Sequence, residues 1–166
     1  MIIGEDFFHR DCLEVAPELV GKIIVRKLEN GEEIRVRITE TEAYRGEEDK
    51  ACHASKGRTQ RTEILYRESG LIYVYLCYGI HWLMNVVTGE VDSPQAVLFR
   101  AGKGCEGPAR LTKKLGINKQ FNYQSLVGNP EIWIEDDGYL PVISCDKRVG
   151  IDYAGEEWVG KLWRYI

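Results

Sequence analysis

The 166-residue sequence has no C-x-x-C pair among its five cysteines, which are Cys12, Cys52, Cys77, Cys105 and Cys145. Cysteines that are odd in number and scattered indicate reduced thiols, so neither a disulfide framework nor a zinc site is predicted. The sequence also lacks an apolar run long enough to span a bilayer, and it lacks a signal-peptide pattern at its start. We therefore expect a cytoplasmic protein with no membrane partner.

Two catalytic motifs are also missing. There is no nucleophile elbow for Ser-His-Asp catalysis, and no glycine-rich loop follows a strand pattern to bind nucleotide phosphates. The composition is that of a globular domain, because 44% of the residues are hydrophobic and 29% are charged. Since no repeat or linker divides the chain, we expect one domain over residues 1–166.

The stretch Glu40-Thr41-Glu42-Ala43-Tyr44 places two carboxylates and a phenol on alternate residues. Before it, apolar Ile34, Val36 and Ile38 alternate with polar residues, which predicts a half-buried strand. If this strand continues without a bulge, both carboxylates lie on the apolar face, where a charge is costly unless it has a function. The alternative is a strand end that emerges into solvent.

Two hairpins are predicted from turn signals. Asn30-Gly31 separates two strand patterns, and two aromatic-rich patterns in residues 71–88 meet at Tyr78-Gly79. The Tyr78 ring either protrudes, as a wedge between stacked bases would, or folds back on its own hairpin. Between these hairpins, the polar residues 45–70 predict a functional loop.

The charge is unevenly distributed along the chain. The net charge is -4, but residues 100–119 hold six basic residues against one acidic residue (Glu106), a local balance of +5. The basic residues are Arg100, Lys103, Arg110, Lys113, Lys114 and Lys119. Pro108 and Gly116 are typical of the start and end of a helix in this segment. The helix face is either simply solvated or turned towards phosphates.

With those motifs absent, the residues that could carry a chemical function are acids, arginine and aromatic residues. An isolated His53 is only a weak indication of a catalytic or binding role. This set suits hydrolysis of a glycosidic bond, in which a carboxylate and a positioned water meet a developing oxocarbenium ion. One interpretation is a carbohydrate-active hydrolase that uses the pair Glu40 and Glu42. Another is a non-catalytic module that binds single-stranded nucleic acid through Tyr73, Tyr75 and Tyr78.

Short motifs occur along the chain in a distinctive order. They are Glu40-Thr41-Glu42-Ala43-Tyr44, Ala51-Cys52-His53, Tyr73-Val74-Tyr75-Leu76-Cys77-Tyr78-Gly79, Met84-Asn85, Leu98-Phe99-Arg100-Ala101, Gly107-Pro108, Arg148-Val149-Gly150-Ile151 and Ala154-Gly155. The chain thereby resembles the alkyladenine (3-methyladenine) DNA glycosylase family over nearly its whole length. The resemblance implies a monomeric, single-domain α+β (mixed) fold, built around a curved antiparallel sheet with flanking helices and a protruding β-hairpin. It implies no metal or redox cofactor.

The resemblance also implies a function. A monofunctional glycosylase of base excision repair would flip a damaged purine, alkylated or deaminated, out of double-stranded DNA and hydrolyse its N-glycosidic bond, leaving an abasic site. By matching position, Glu42 resembles the general base, and Arg100 resembles the residue that helps to hold the water and the sugar-phosphate. Tyr78 resembles the intercalating wedge.

The remaining positions concern the base pocket and the DNA backbone. The resemblance implies that Tyr44, His53 and Tyr75 sandwich the flipped base, that Ala51 lines the pocket and that Asn85 screens base edges. An electron-rich aromatic pocket would favour a purine made cationic by alkylation. We also expect the side chains of Lys113, Lys114 and Arg148 to contact the DNA backbone.

The sequence departs from the family pattern in two places. Residues 56–62 lack the Pro and Asn of a T-P-R-N run, and Tyr153 stands where relatives have His, so the contacts of that loop and the lesion range stay open. Of the other interpretations, the basic segment disfavours a carbohydrate enzyme, which needs no phosphate partner. A carboxylate at Glu42 disfavours a pure binder, because it would repel phosphate.

Overall fold

The computed structural model describes residues 1–166 and shows the predicted α+β fold around an open antiparallel sheet. The strands are β1 (Ile23–Lys27), β2 (Glu33–Arg45), β3 (Ile72–Cys77), β4 (His81–Val87), β5 (Gln95–Gly102), β6 (Cys105–Glu106), β7 (Ile132–Glu135), β8 (Cys145–Asp146) and β9 (Arg164–Tyr165). The α-helices are α1 (Glu5–Phe8), α2 (Cys12–Leu19), α3 (Pro108–Leu115) and α4 (Glu156–Val159). None of the helices combines the length and apolar character needed to cross a membrane.

The main path of the sheet runs in the order β3-β4-β5-β2-β1-β7. Three short strands extend it, since β6 pairs with β5 and β9 pairs with both β2 and β8. Every pairing is antiparallel. The long strand β2 is central, because it contacts β1, β5 and β9.

Both predicted hairpins form at their predicted turns. Gly31 adopts a φ of 87° in the β1–β2 turn. In the β3–β4 turn, Tyr78 and Gly79 have φ values of 53° and 70°. Two consecutive residues at positive φ give a turn whose twist matches that of the flanking strands. Tyr78 is not a glycine, so this turn holds its backbone in a conformation that side chains rarely adopt.

Helix α3 begins and ends where Pro108 and Gly116 predict, and a side-chain cap begins α2. The Asp11 side chain accepts a hydrogen bond from the Leu13 N–H (2.9 Å) at the start of α2. Pro108 is the first residue of α3, and Gly116 follows its end with a φ of 67°. Helix α3 packs on β4 and β5 through buried residues that include Leu111 and leaves its basic side chains exposed.

A β-bulge interrupts β2 at Glu40, the first residue of the carboxylate motif. The register against β5 shifts between Ile38 and Glu40 and shifts back between Glu40 and Thr41, so Ile38–Gly102 and Thr41–Phe99 lie in the same register. The alternation of faces along β2 changes where this pairing is irregular. Ile38 therefore faces the core before the bulge and Ala43 faces it afterwards. The expectation that the Glu42 side chain shares the face of Ile38 is wrong, because it required a strand without a bulge.

Beyond the bulge, the two faces of the sheet have different contents. One row of paired residues across β2, β5, β4 and β3 is fully buried and apolar, and consists of Ala43, Val97, Val86 and Ile72. The adjacent row projects from the opposite face and consists of Glu42, Leu98, Asn85 and Tyr73. The first row belongs to the main hydrophobic core, which α2 and α3 cover.

The polar residues 45–70 cover the second face. They contain two short 3-10 turns, His53–Lys56 and Glu63–Tyr66. Ala54, Ile64 and Leu65 are buried and pack against the sheet in a second cluster. The loop is therefore anchored by its apolar residues, which holds its polar residues in fixed positions.

Gly102, at the end of β5, tests how tightly the region of the bulge is packed. A Cβ atom there would lie 2.2 Å from Val36 Cγ1 and 3.2 Å from both Cys105 Sγ and Leu111 Cδ1. We expect Gly102→Ala to lower the free energy of unfolding by about 1–3 kcal/mol, measured by urea denaturation. Gly4→Ala is the control, because nothing lies within 4 Å of its Cβ position. Equal stability of the two variants would contradict this account.

Candidate active site

A cavity of about 490 Å³ opens on the second face of the sheet. Strands β2 to β5 form its floor, and residues 149–153 form one wall. It is lined by all eight residues predicted for catalysis, base binding and intercalation, namely Glu42, Tyr44, Ala51, His53, Tyr75, Tyr78, Asn85 and Arg100. The structure thus brings together side chains that are up to 58 positions apart, from Glu42 to Arg100.

Glu42 lies at the floor of this cavity and is completely buried. Its Oε1 accepts a hydrogen bond from the Tyr44 hydroxyl (2.8 Å), and its Oε2 accepts one from the Val149 N–H (2.8 Å). The Arg100 guanidinium lies 3.8 Å from the same Oε2. Burial nevertheless raises the pKa of Glu42 above its ordinary value, although these three neighbours favour the ionised form. Such a carboxylate is fixed in orientation and able to accept a proton.

Arg100 contacts both carboxylates of the motif. Its Nε lies 3.5 Å from Glu40 Oε2, and Arg164 Nη1 lies 3.5 Å from that same oxygen. Glu40 is therefore shared between two arginines and remains partly exposed. Both carboxylates of the motif therefore approach the same guanidinium nitrogen.

The cavity walls are aromatic. The His53 ring centroid lies 4.6 Å from that of Tyr75, and His53 Nδ1 lies 2.7 Å from the Tyr73 hydroxyl. Burial lowers the pKa of His53 to about 4, and the positive charges of Arg61 and Lys56 act in the same direction. The imidazole is therefore neutral at pH 7, so His53 adds no positive charge to the aromatic wall.

Two smaller residues complete the lining of the cavity. Ala51 is buried, and its N–H donates to Asp49 Oδ1 (3.0 Å). Asn85 is also buried, and its Nδ2 donates to the Tyr73 carbonyl (3.2 Å). This bond fixes the orientation of the Asn85 amide at the cavity surface.

The tip of the β3–β4 hairpin projects from the mouth of the cavity. Tyr78 is 90% exposed, and its neighbours Leu76 and Ile80 are exposed apolar residues. The ring therefore does not fold back on its hairpin, and of the two readings of the sequence the protruding one is confirmed. A protruding aromatic tip beside a cavity is suited to insertion between stacked bases.

Lys113 and Lys114 are exposed on α3. The first residues of the same helix, Pro108 and Ala109, line the cavity, so the basic face begins near the cavity mouth. Five exposed basic side chains of this segment form no salt bridge: Lys103, Arg110, Lys113, Lys114 and Lys119. Their charges are therefore free to meet phosphates.

The structure corrects the expectation that Arg148 contacts the DNA backbone. The Arg148 side chain is completely buried and forms a salt bridge with Asp49 (2.6 Å). A guanidinium that is enclosed and paired cannot reach a phosphate. Sequence reasoning also missed three residues of the site, namely Asp49, Tyr73 as a partner of His53, and Val149 as a donor to Glu42. Of these three residues, only Tyr73 could have been found from the sequence, because it belongs to the aromatic strand pattern.

Comparison with known proteins identifies the class of protein to which this cavity belongs. A family model described as "Methylpurine-DNA glycosylase (MPG)" matches residues 6–106 and 102–166. The chain therefore belongs to the methylpurine-DNA glycosylase family. It is accordingly a hydrolase that acts on N-glycosidic bonds, a DNA glycosylase of repair.

Individual relatives agree over nearly the full length. A protein of Psychrobacter cryohalolentis is 43% identical, covering 99% of this chain and 91% of the relative. One of Natranaerobius thermophilus is 42% identical, covering 99% and 94%. A third, of Borrelia garinii subsp. bavariensis, is 44% identical, covering 96% and 92%. All three are named, provisionally, as 3-methyladenine DNA glycosylases.

The burial of Glu42 predicts a pH-dependent effect on stability. A carboxyl whose pKa is raised in the folded state lowers stability as pH rises from its unfolded pKa to its folded pKa. We therefore expect the stability of Glu42→Gln relative to wild type to increase with pH over that window. The measurement is urea denaturation of both proteins at pH 4 and pH 7.5. Glu48→Gln, on the exposed loop, is the control, and an equal effect of Glu42→Gln at both pH values would contradict the account.

Proposed function

We propose that this protein is a monofunctional glycosylase that flips a damaged purine out of double-stranded DNA and hydrolyses its N-glycosidic bond with a water activated by Glu42. The observation that carries the proposal is the burial of Glu42 at the floor of an aromatic cavity, with one donor on each carboxylate oxygen. A single chain supplies every wall of this cavity, which supports action as a monomer.

The cavity suits an alkylated purine. Tyr44, His53 and Tyr75 offer π faces, and a purine alkylated at a ring nitrogen carries positive charge, so cation–π attraction favours it over the normal base. The neutral state of His53 removes a charge that would repel this base. Asn85 lies where it would contact a base edge, which gives a means of rejecting normal purines.

The reaction needs one proton acceptor and one group to position the sugar. As the bond from C1′ to the base breaks, positive charge develops on the sugar, and the nearby carboxylate of Glu42 stabilises it. Glu42 accepts the proton of the water whose oxygen attacks C1′. Arg100, 3.8 Å from Glu42, would hold the water and the sugar-phosphate.

The decisive test supplies duplexes that carry one defined lesion each: 3-methyladenine, 7-methylguanine, hypoxanthine or ethenoadenine. Wild type should produce abasic sites under single-turnover conditions, and the rate should fall as pH drops through the raised pKa of Glu42, because a protonated carboxyl cannot accept the proton. Glu42→Gln should keep the fold and lesion binding and lose base release. Glu40→Gln should be milder. If the ranking of the two variants is reversed, Glu40 is the general base.

The exposed tip of the hairpin generates a second prediction. Tyr78→Ala should leave the melting temperature nearly unchanged, because the ring is 90% exposed. It should lower the flipping equilibrium by a few kcal/mol, about the cost of unstacking a base. The defect should be largest for a lesion in a stable pair, smaller opposite a mismatch and smallest in single-stranded DNA. An equal defect in all three contexts, measured by single-turnover excision, would exclude the wedge.

The basic face of α3 predicts a salt-dependent affinity for duplex DNA. Each phosphate contact contributes roughly 0.9 to the slope of log K against log salt, so Lys113→Gln with Lys114→Gln should reduce the slope by about 1.8. Lys27→Gln is the control, since this exposed lysine lies on β1, away from the cavity. An unchanged slope in fluorescence titrations of the double variant would make this a merely solvated helix face.

A further inference from the structure

The buried ion pair between Arg148 and Asp49 has no role in the reaction described above. Both side chains are completely inaccessible, and the pair is bidentate, with Nη1 2.6 Å from Oδ2 and Nη2 3.0 Å from Oδ1. Taking two charges out of water is costly, and an apolar pair of similar volume often serves stability equally well. Stability alone therefore does not explain why a buried ion pair lies next to the cavity.

Asp49 is fixed by its own backbone contacts. Its Oδ2 accepts the Arg45 N–H (3.0 Å), and its Oδ1 accepts the Ala51 N–H (3.0 Å). With the two bonds from Arg148, each oxygen has two donors. The carboxylate therefore ties the start of the covering loop to the end of β2, and it presents a rigid acceptor to the guanidinium.

Arg148 joins that fixed point to strand β2 and to the C-terminal segment. Its Nη1 also donates to the carbonyl of Ala43, the residue between the two site residues of β2, and its Nη2 donates to the Trp158 carbonyl (3.3 Å). Its guanidinium carbon lies 4.9 Å from the Tyr44 ring centroid and 5.0 Å from that of Trp163. The guanidinium thus stacks between an aromatic of the cavity and one outside it.

The residue after Arg148 provides the link to catalysis. The Val149 N–H donates to Glu42 Oε2 (2.8 Å), whereas the Val149 side chain is 47% exposed and does not anchor its own backbone. The segment is fixed on one side by Arg148 and on the other by Ile151, which packs against Ala51. The position of the Val149 N–H therefore depends on the residue directly before it.

We infer that Arg148, held by Asp49, is a positioning residue for the reaction: it sets the Val149 N–H and the Tyr44 hydroxyl against Glu42. The inference rests on the proposed function. Arg148 does not line the cavity, so it acts only through its neighbours. Its loss should slow base release and leave lesion binding nearly intact.

Two variants at this position separate geometry from folding. Arg148→Lys keeps the charge but lacks the fork that meets Asp49 bidentately. The double variant Asp49→Asn with Arg148→Gln removes both charges and keeps hydrogen-bonding side chains, so no lone charge is buried. Both should slow single-turnover excision by about 100-fold, the effect of a misplacement of roughly 1 Å. The dissociation constant for a lesion duplex should change less than about threefold, well under one decade of affinity.

The pH profile gives a readout that a purely structural role would not move. The Val149 hydrogen bond and the charge of Arg148 both favour the ionised form of Glu42. When they are lost, the pH at which the excision rate is half-maximal should rise. The matched control is Asp137→Asn with Arg37→Gln, a surface pair with the same closest distance of 2.6 Å, which should leave both the rate and the pH profile unchanged.

Each outcome is decisive. A folded double variant, checked by near-ultraviolet circular dichroism, with a wild-type rate and pH profile would overturn the inference. If both Arg148 variants fail to fold, Asp49→Asn is compared with Asp137→Asn, since only the first weakens the acceptor that holds Arg148. A slower rate with a shifted profile in Asp49→Asn alone supports the inference, and equal behaviour of the two variants overturns it. Absence of base release by wild type would instead reject the proposed function.

Discussion

The β-bulge in β2 is the constraint on which the rest of the site depends. Because its pairing with β5 is irregular between Ile38 and Thr41, the strand contributes Thr41 and Ala43 to the hydrophobic core and Glu42 and Tyr44 to the opposite face. Without this irregularity, the Glu42 carboxylate would point into the main core. The bulge thus lets one continuous strand both complete the core and place Glu42 at the cavity.

Burial on the second face then sets the pKa and the orientation of the Glu42 carboxyl. That face is covered by loops rather than helices, and the cover is closed by the ion pair of Asp49 with Arg148. The cover buries Glu42, which raises the pKa of its carboxyl, while the hydrogen bonds from Tyr44 and Val149 keep it oriented. The folded protein thus holds a buried carboxyl in a fixed orientation at a cost in stability once that carboxyl is ionised.

Local signals in the sequence predicted the elements that local chemistry decides. Gly31 and Gly79 readily adopt a positive φ, which tight turns require, so both turns were found. The bulge was missed because it has no distinctive residue and arises from pairing with β5. Arg148 was misassigned because its partner Asp49 lies 99 positions away, and nothing in a basic residue near a glycine indicates burial. Both features depend on contacts between residues far apart in the chain, which the sequence alone did not reveal.

Charge is divided between the mouth and the interior of the cavity, and this division reconciles an acidic protein with a polyanionic substrate. The net charge of -4 is carried elsewhere on the chain, while α3 beside the mouth exposes unpaired lysines such as Lys113. The interior holds the Glu42 carboxylate among neutral rings, because His53 is uncharged at pH 7. A basic mouth attracts any phosphate backbone, whereas π faces in the interior favour a base that carries positive charge over a neutral one. Under the proposed function, affinity for DNA and selection of the lesion are therefore set by different residues, and either can change without the other.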